Sequence, residues 1–238
     1  MSDLSYMNAN VFRIQSEIEA AKARRRKEIA DVEVTLLAAI KYTDAEHVNY
    51  LHRVLGVHDV GENRVQQLVE RWEALDREGM RIHVIGKLQS NKVKYIIDKV
   101  DMIHSLDRIS LAKEIDRQAA KIGKKMKVLC EINLGEEETK SGISISEAHD
   151  FLKEISKFEH IQVCGLMAIP PVLKEISTQK EYFQKIMDLY IDISAKKIDN
   201  ISMSVLSIGM SSDFSIAIEH GSNLVRIGTA AFGTRTQK

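Results

Sequence analysis

Cysteine, proline and an excess of either charge are what this sequence has little of, and each scarcity closes off a class of function. The 238 residues hold two cysteines, Cys130 and Cys164, each inside an apolar run. Two such thiols do not make a disulfide framework, and no CxxC pair, HExxH motif or Cys/His cluster suggests a metal. Buried free thiols in a reducing compartment are the simplest account. Thirty-four basic residues balance 34 acidic ones, which argues against a general nucleic-acid binder or a polybasic membrane protein. No apolar run approaches membrane-spanning length, and Met1 to Asn10 lacks the apolar stretch of a secretion signal. A soluble cytoplasmic protein is the expectation. Two basic runs, Arg24-Arg25-Arg26-Lys27 and Lys121 to Lys127, sit where helices end or turn and read as solvated faces. The only prolines are adjacent, Pro170-Pro171, where a strand would leave the sheet.

What is present is a regular alternation. An amphipathic first helix carries Val11, Ile14, Ile18 and Ala21 at helical spacing. Eight short apolar runs follow as expected strands: 34–40, 57–60, 81–85, 102–104, 128–133, 163–169, 204–208 and 224–227. Between them lie helical patterns, among them 44–55, 63–77, 111–122 and 146–157, with Thr43-Asp44 and Ser146-Glu147 as expected caps. The strands read as buried and parallel. Eight such units in one chain without a linker or composition break predict a single domain, residues 1–238, folded as a (β/α)8 TIM barrel with an additional N-terminal helix. A doubly wound open sheet is the alternative, because periodicity does not reveal closure.

In a (β/α)8 barrel, chemistry gathers at the C-terminal ends of the strands. Strand one ends on Lys41, an amine that is costly beside a core unless it has work to do. A desolvated amine has a lowered pKa and attacks aldehydes more readily; the plain alternative is a strand-end lysine reaching into water. Later strand ends bring Gly61-Glu62-Asn63, His83 with Gly86, His104-Ser105, Asn133, Met167, Ser207 to Ser212, and Arg226 with Gly228-Thr229. Glycines, hydroxyls and free N–H groups in the last two loops suit a phosphate, though ordinary turns use the same residues. An amine and a phosphate site across one barrel mouth suggest a phosphorylated aldehyde, with pyridoxal phosphate the candidate. Arg226 beside a pyridine nitrogen would keep that nitrogen unprotonated and weaken the ring as an electron sink; pairing with Glu219 is the competing account. His83 could contact the cofactor or be a satisfied core histidine, and Asn63 could face the ring or cap a helix. Met167 and Met210 read as packing residues.

Taken together, these segments resemble the pyridoxal phosphate homeostasis proteins, single-domain relatives of the alanine racemase barrel. The resemblance rests on Gly61-Glu62-Asn63-Arg64-Val65-Gln66, on His83 to Lys92, on Lys140-Ser141-Gly142 and Gly165-Leu166-Met167, and on Leu206 to Ser211 followed by Val225 to Thr229 and Phe232-Gly233. It implies a Schiff base between Lys41 and pyridoxal 5′-phosphate, with Ser211, Gly228 and Thr229 around the phosphate and Arg226 near the pyridine nitrogen. Asn63 and His83 complete the expected site. Departures lie around the lysine, where Ile40-Lys41-Tyr42-Thr43-Asp44 replaces the family's Ser before it and Thr-Lys-Pro after it, and Val60 and Lys87 replace a usual Phe and Pro. Two-domain racemases take their second base from an additional domain, for which nothing follows the barrel in this sequence. The resemblance therefore implies a monomeric carrier or buffer of the cofactor rather than an enzyme, delivering transiently to apoenzymes that use it; a racemase-like enzyme is the alternative.

Overall fold

The computed structural model describes residues 4–29, 31–135, 141–170 and 176–233; Lys140 and Pro171 lie outside them. Eight parallel strands follow one another around a closed barrel in chain order: β1 (Thr35–Ala39), β2 (Asp59–Glu62), β3 (Arg81–Val84), β4 (Met102–Leu106), β5 (Met126–Ile132), β6 (Ile161–Ala168), β7 (Ile201–Met210) and β8 (Leu224–Ile227). Closure is made by β8 on β1, with Leu37 opposite Arg226 and Ala38 opposite Ile227. The sheet is therefore not open, and the doubly wound alternative falls away.

Helix α1 (Tyr6–Lys22) precedes the barrel and buries Met7, Val11, Ile14, Ile18 and Ala21 on one stripe. Ile14, Ile18 and Ala21 pack with Phe214, Ile218, Val225 and Ile227, so the extra helix covers the β8 side of the closure. The outer layer continues with α2 (Ala45–Arg53), α3 (Val65–Arg71), α4 (Ile109–Lys121), α5 (Ala148–Ile155), α6 (Ile176–Ala195), α7 (Phe214–Glu219) and α8 (Thr229–Phe232). Between β3 and β4 a 3-10 helix, Ser90–Tyr95, stands in for an α-helix. Asp44 caps α2 as expected, accepting the His47 N–H at 3.0 Å. Ser146 does not cap α5; the Ser144 hydroxyl takes the Glu147 N–H at 3.3 Å, and the helix starts two residues later than expected. No helix among the described residues is long and apolar enough to cross a membrane.

Strand alternation divides the apolar residues between two places. Ala38 and Ile40 face the helices and join the large core there, whereas Leu37 and Ala39 face the barrel axis with Ile85 and Leu224. A second axial cluster holds Met102, Leu129, Cys164 and Met167, so Met167 packs as expected. Both cysteines are free and buried. Other inward-facing positions are polar, among them Asp59, His83, His104, Glu131, Ser207 and Arg226, and these carry the chemistry.

Both basic runs depart in part from expectation. Arg25 is buried, and its guanidinium donates to the carbonyls of Ile218 (2.9 Å), Val32 (2.5 Å) and Ser222. It ties the end of α1 to the turn before β8, and its charge is neutralised by backbone dipoles rather than by water. Lys124 likewise donates to Ile97 and Val100 carbonyls at 3.1 and 2.6 Å.

Barrel closure also depends on one glycine. Gly165 on β6 has φ +151°, and a Cβ there would fall 1.8 Å from the Val205 carbonyl oxygen of β7. Gly165→Ala is expected to cost about 3 kcal/mol or more in urea unfolding, because neither backbone can move without breaking the ladder. A cost under about 1 kcal/mol would show that β6 and β7 can separate at this point.

Candidate functional site

The C-terminal mouth of the barrel is built strand by strand from short-range interactions. After β1 the Ile40 N–H still bonds the Gly61 carbonyl at 2.9 Å, so the ladder reaches Ile40 before the chain turns. Lys41 and Tyr42 are the central residues of that turn, closed by the Thr43 N–H on the Ile40 carbonyl at 3.1 Å. Tyr42 has φ +65°, a left-handed conformation costing a side chain roughly 1 to 2 kcal/mol. Arg64 lies over its ring, 5.6 Å from the centroid. Arg71 donates to the same Ile40 carbonyl at 2.8 Å and pairs with the buried Glu62 at 3.1 Å. The backbone under Lys41 is thus clamped from β2 and α3. The side chain is exposed, so the desolvation expected of its amine is not found, and its ammonium has no hydrogen-bond or ion-pair partner among the described residues.

Beside it, the Glu62 carboxylate accepts the N–H groups of Asn63 (2.7 Å) and Arg64 (3.0 Å). That leaves the Asn63 side chain out of the helix cap: α3 begins after Arg64, with no side-chain cap bond, and the Asn63 Oδ1 is buried without a partner. The capping account of Asn63 is therefore set aside. Gly86 lets β3's loop press on this turn, since a Cβ there would meet the Asn63 carbonyl oxygen at 2.4 Å.

His83 is a core histidine. Its Nε2 lies 3.1 Å from Asp59 Oδ1 and its Nδ1 2.9 Å from His104 Nε2, with the two rings edge to face. Both nitrogens are engaged, so His83 is corrected from a direct ligand contact to a residue beneath the mouth.

Across the closure, Arg226 is 5% exposed and projects from β8 into the barrel. Its Nη1 donates to the Ser207 carbonyl (2.6 Å) and hydroxyl (2.7 Å), and its Nη2 to the Ala168 carbonyl (2.9 Å). Burial lowers its pKa to about 10 against the pull of Asp213 and Glu131, so it stays a cation at neutral pH. Glu219 is not its partner, pairing instead with Arg24 at 2.7 Å. Above Arg226, the N–H groups of Gly228 and Ala230 converge on the Ser211 hydroxyl at 3.3 and 3.5 Å, and exposed Thr229 lies between them in sequence. Asp213 holds the preceding turn through the Met210 N–H at 2.6 Å. Lys41, Asn63, Ser211, Arg226, Gly228 and Thr229 thus all belong to one end of the barrel. A separate groove lined by Met187, Ile191 and His220 lies among the outer helices and contains none of them.

Sequence reasoning missed Glu131. It faces inward from β5, buried, with Oε2 lacking any partner. Burial raises its pKa to about 7, Asp107 adding to the rise and Arg226, Lys87 and Arg108 opposing it. The signal was legible as a carboxylate in step with inward Leu129, but its apolar neighbours hid it. Asp59 was passed over in the same way, while His104 was noted at its strand end without a role.

The chain was then compared with known proteins. The family model described as alanine racemase, N-terminal domain, matches residues 14–236. A curated protein of Aquifex aeolicus (strain VF5) named pyridoxal phosphate homeostasis protein is 40% identical over 84% of this chain and 86% of its own length. A solved structure of an unknown protein from Bifidobacterium adolescentis superposes with a TM-score of 0.89 at 31% identity, covering 98% of this chain and 97% of that one. The Synechococcus elongatus PCC7942 protein PipY, solved with pyridoxal phosphate bound, has a TM-score of 0.77 at 28% identity and covers 91% of this chain and 100% of its own.

Glu131 gives a test that needs no ligand. An acid whose pKa is raised on folding stabilises the fold below its unfolded value and loses that contribution as pH rises to the folded value. Between the ordinary value of 4.5 and about 7, native stability should fall by up to about 3 kcal/mol on this group's account. Glu131→Gln is expected to match the wild type near about pH 4.5 and to exceed it in melting temperature near about pH 8. Parallel melting curves across this range would exclude Glu131 as the titrating group.

Proposed function

The chain belongs to the alanine racemase N-terminal domain family, among its pyridoxal phosphate homeostasis proteins, and from that premise we propose that it binds pyridoxal 5′-phosphate at the barrel mouth and holds it on Lys41. What carries the reading is the closure of the barrel. The Ala39 carbonyl oxygen, two residues before Lys41, lies 3.4 Å from where a side chain on Gly228 would begin. A free amine and a loop of phosphate-type donors therefore share one rim.

The residues present fit such a ligand. Its phosphate needs donors, and the N–H groups that now turn to Ser211 are of that kind, with the hydroxyls of Ser211 and Thr229 beside them. Its ring needs polar partners in an otherwise closed wall, and the buried Asn63 Oδ1 and Glu131 Oε2 have none. When bound, pyridoxal phosphate supplies an electrophilic aldehyde carbon and a pyridine ring that can accept electron density. Lys41 contributes the nucleophilic amine, kept in place by the clamped turn and reachable from solvent. Arg226 stays charged and can only donate, so it favours an unprotonated ring nitrogen and a weak electron sink. That choice of partner supports holding, buffering and releasing the cofactor over transforming amino acids. An exposed lysine at an open mouth suits exchange with apoenzymes in the cytosol, by a protein acting as a monomer and a single domain.

Sodium borohydride treatment of the protein mixed with pyridoxal phosphate, followed by peptide mass mapping, is expected to find one phosphopyridoxyl group, on Lys41. Full labelling of Lys41→Ala would refute the assignment. Holding and catalysis are separated by incubating the loaded protein with amino acids and following chirality and deamination. Turnover at about 1 per second or faster would make it an enzyme of ordinary rate and end the holding account; cofactor transfer to an apoenzyme without turnover is the expected result.

A further inference from the structure

Arg226 stands at the end of an unbroken line of hydrogen bonds that starts on the opposite face of the barrel. At the first residue of β3, Arg81 donates from Nε to Asp59 Oδ1 at 2.8 Å and from Nη2 to Asp59 Oδ2. The line then runs from Asp59 Oδ1 to His83 Nε2 (3.1 Å), from His83 Nδ1 to His104 Nε2 (2.9 Å), and from His104 Nδ1 to the Ser207 hydroxyl (3.3 Å). It closes on Arg226 Nη1 at 2.7 Å. All the members between Arg81 and Arg226 are buried. No water-filled route is needed, because each link is direct.

Chemistry at the two ends dictates where every proton lies. Arg226 has only donors, so the Ser207 oxygen accepts from it and must place its own proton elsewhere. His104 Nδ1 is the acceptor available on that side. Burial, together with the Arg226 charge, holds the His104 imidazole well below its ordinary range, so it is neutral and carries one ring proton. With Nδ1 accepting, that proton is on Nε2 and points to His83 Nδ1, which is then bare. His83 therefore carries its proton on Nε2, facing Asp59. The carboxylate at the far end accepts. Burial would raise its pKa, yet His83 and Arg81 outweigh burial and keep it below the usual carboxylate range. Every donor from Arg226 to His83 points toward Asp59, and Arg81 donates to the carboxylate from the other side.

We infer that Asp59, His83, His104 and Ser207 are positioning residues that act through Arg226, setting its hydrogen-bonding direction in the ligand site by a fixed order of protons. The carboxylate anchors the order, the two imidazoles transmit it, and the serine presents a lone pair to the guanidinium. Nη1 and Nη2 are thereby committed to Ser207 and Ala168, and the remaining guanidinium N–H groups keep one orientation. The inference deepens the proposed reading, since Arg226 is its ring partner, but the proton order belongs to the protein without any ligand. The order is read in the wild type itself, where Arg81 Nε and His83 Nε2 share Asp59 Oδ1 as their acceptor.

Long-range proton–nitrogen NMR on the ligand-free protein, with the His104 signal assigned by its loss in His104→Gln, reads the order directly. The wild type is expected to show His83 and His104 neutral and protonated on Nε2. A wild-type His104 protonated on Nδ1 overturns the inference even if no variant folds. Ser207→Ala, which cuts the line next to Arg226, is expected to leave both tautomers in place while weakening pyridoxal phosphate binding about tenfold and shifting the absorbance of the bound ligand. Unaltered affinity and spectrum in a folded Ser207→Ala protein would show that the line does not act through Arg226. Should the wild type bind no pyridoxal phosphate, the functional reading fails while the tautomers still decide the proton order.

Discussion

A permanent positive charge sealed inside the barrel is the constraint on which the rest of this structure depends. Arg226 lies almost wholly out of water, and leaving its donors unmet there would cost several kcal/mol. The protein meets the cost with backbone as much as with side chains. The carbonyls of Ala168 and Ser207, from β6 and β7, turn to it, and the β7–β8 register shifts between Ser207 and Met210, beside the contact. Asp213 and Glu131 supply the compensating field from a turn and from the far wall. The arrangement of three strands, a loop and the line of histidines follows from holding one guanidinium in one place.

Much of this was legible in the residues, and the failures have a common cause. Helix α1 followed from its apolar spacing, β8 was bounded correctly, and eight parallel strands with a covering helix emerged from alternation alone. β2 was displaced: the apolar run 57–60 suggested one segment, whereas the strand is Asp59–Glu62. Two of its four residues are buried carboxylates, stabilised by Arg81, His83, Arg71 and backbone N–H groups. Hydrophobicity cannot find a strand whose polar groups are satisfied by residues distant in sequence. Arg25 was misjudged for the same reason, because its partners are carbonyls of Ile218 and Ser222. In the site, Arg226, His104 and the last two loops were visible from barrel geometry, but Asp59 and Glu131 were not. Their significance comes from neighbours on other strands, which a linear reading does not bring together.

The mouth combines two mechanical styles. The loops after β7 and β8 and the Arg226 wall are held by direct hydrogen bonds. The Lys41 turn is instead held at its backbone and loose at its side chain, with Tyr42 in a left-handed conformation that few side chains accept. The mouth thus sets a many-partnered wall beside an amine that is open to solvent.

The join between β1 and β8 has a consequence for how the protein comes into being. Lys41 is translated early, while Arg226, Gly228 and Ala230 follow almost at the end. A nascent chain emerging from the ribosome therefore exposes a lysine like any other for most of its synthesis. The residues of the mouth come together only when the final strand docks on the first, a contact between strands far apart in the sequence. Until β8 docks on β1, Lys41 and Arg226 belong to no common site.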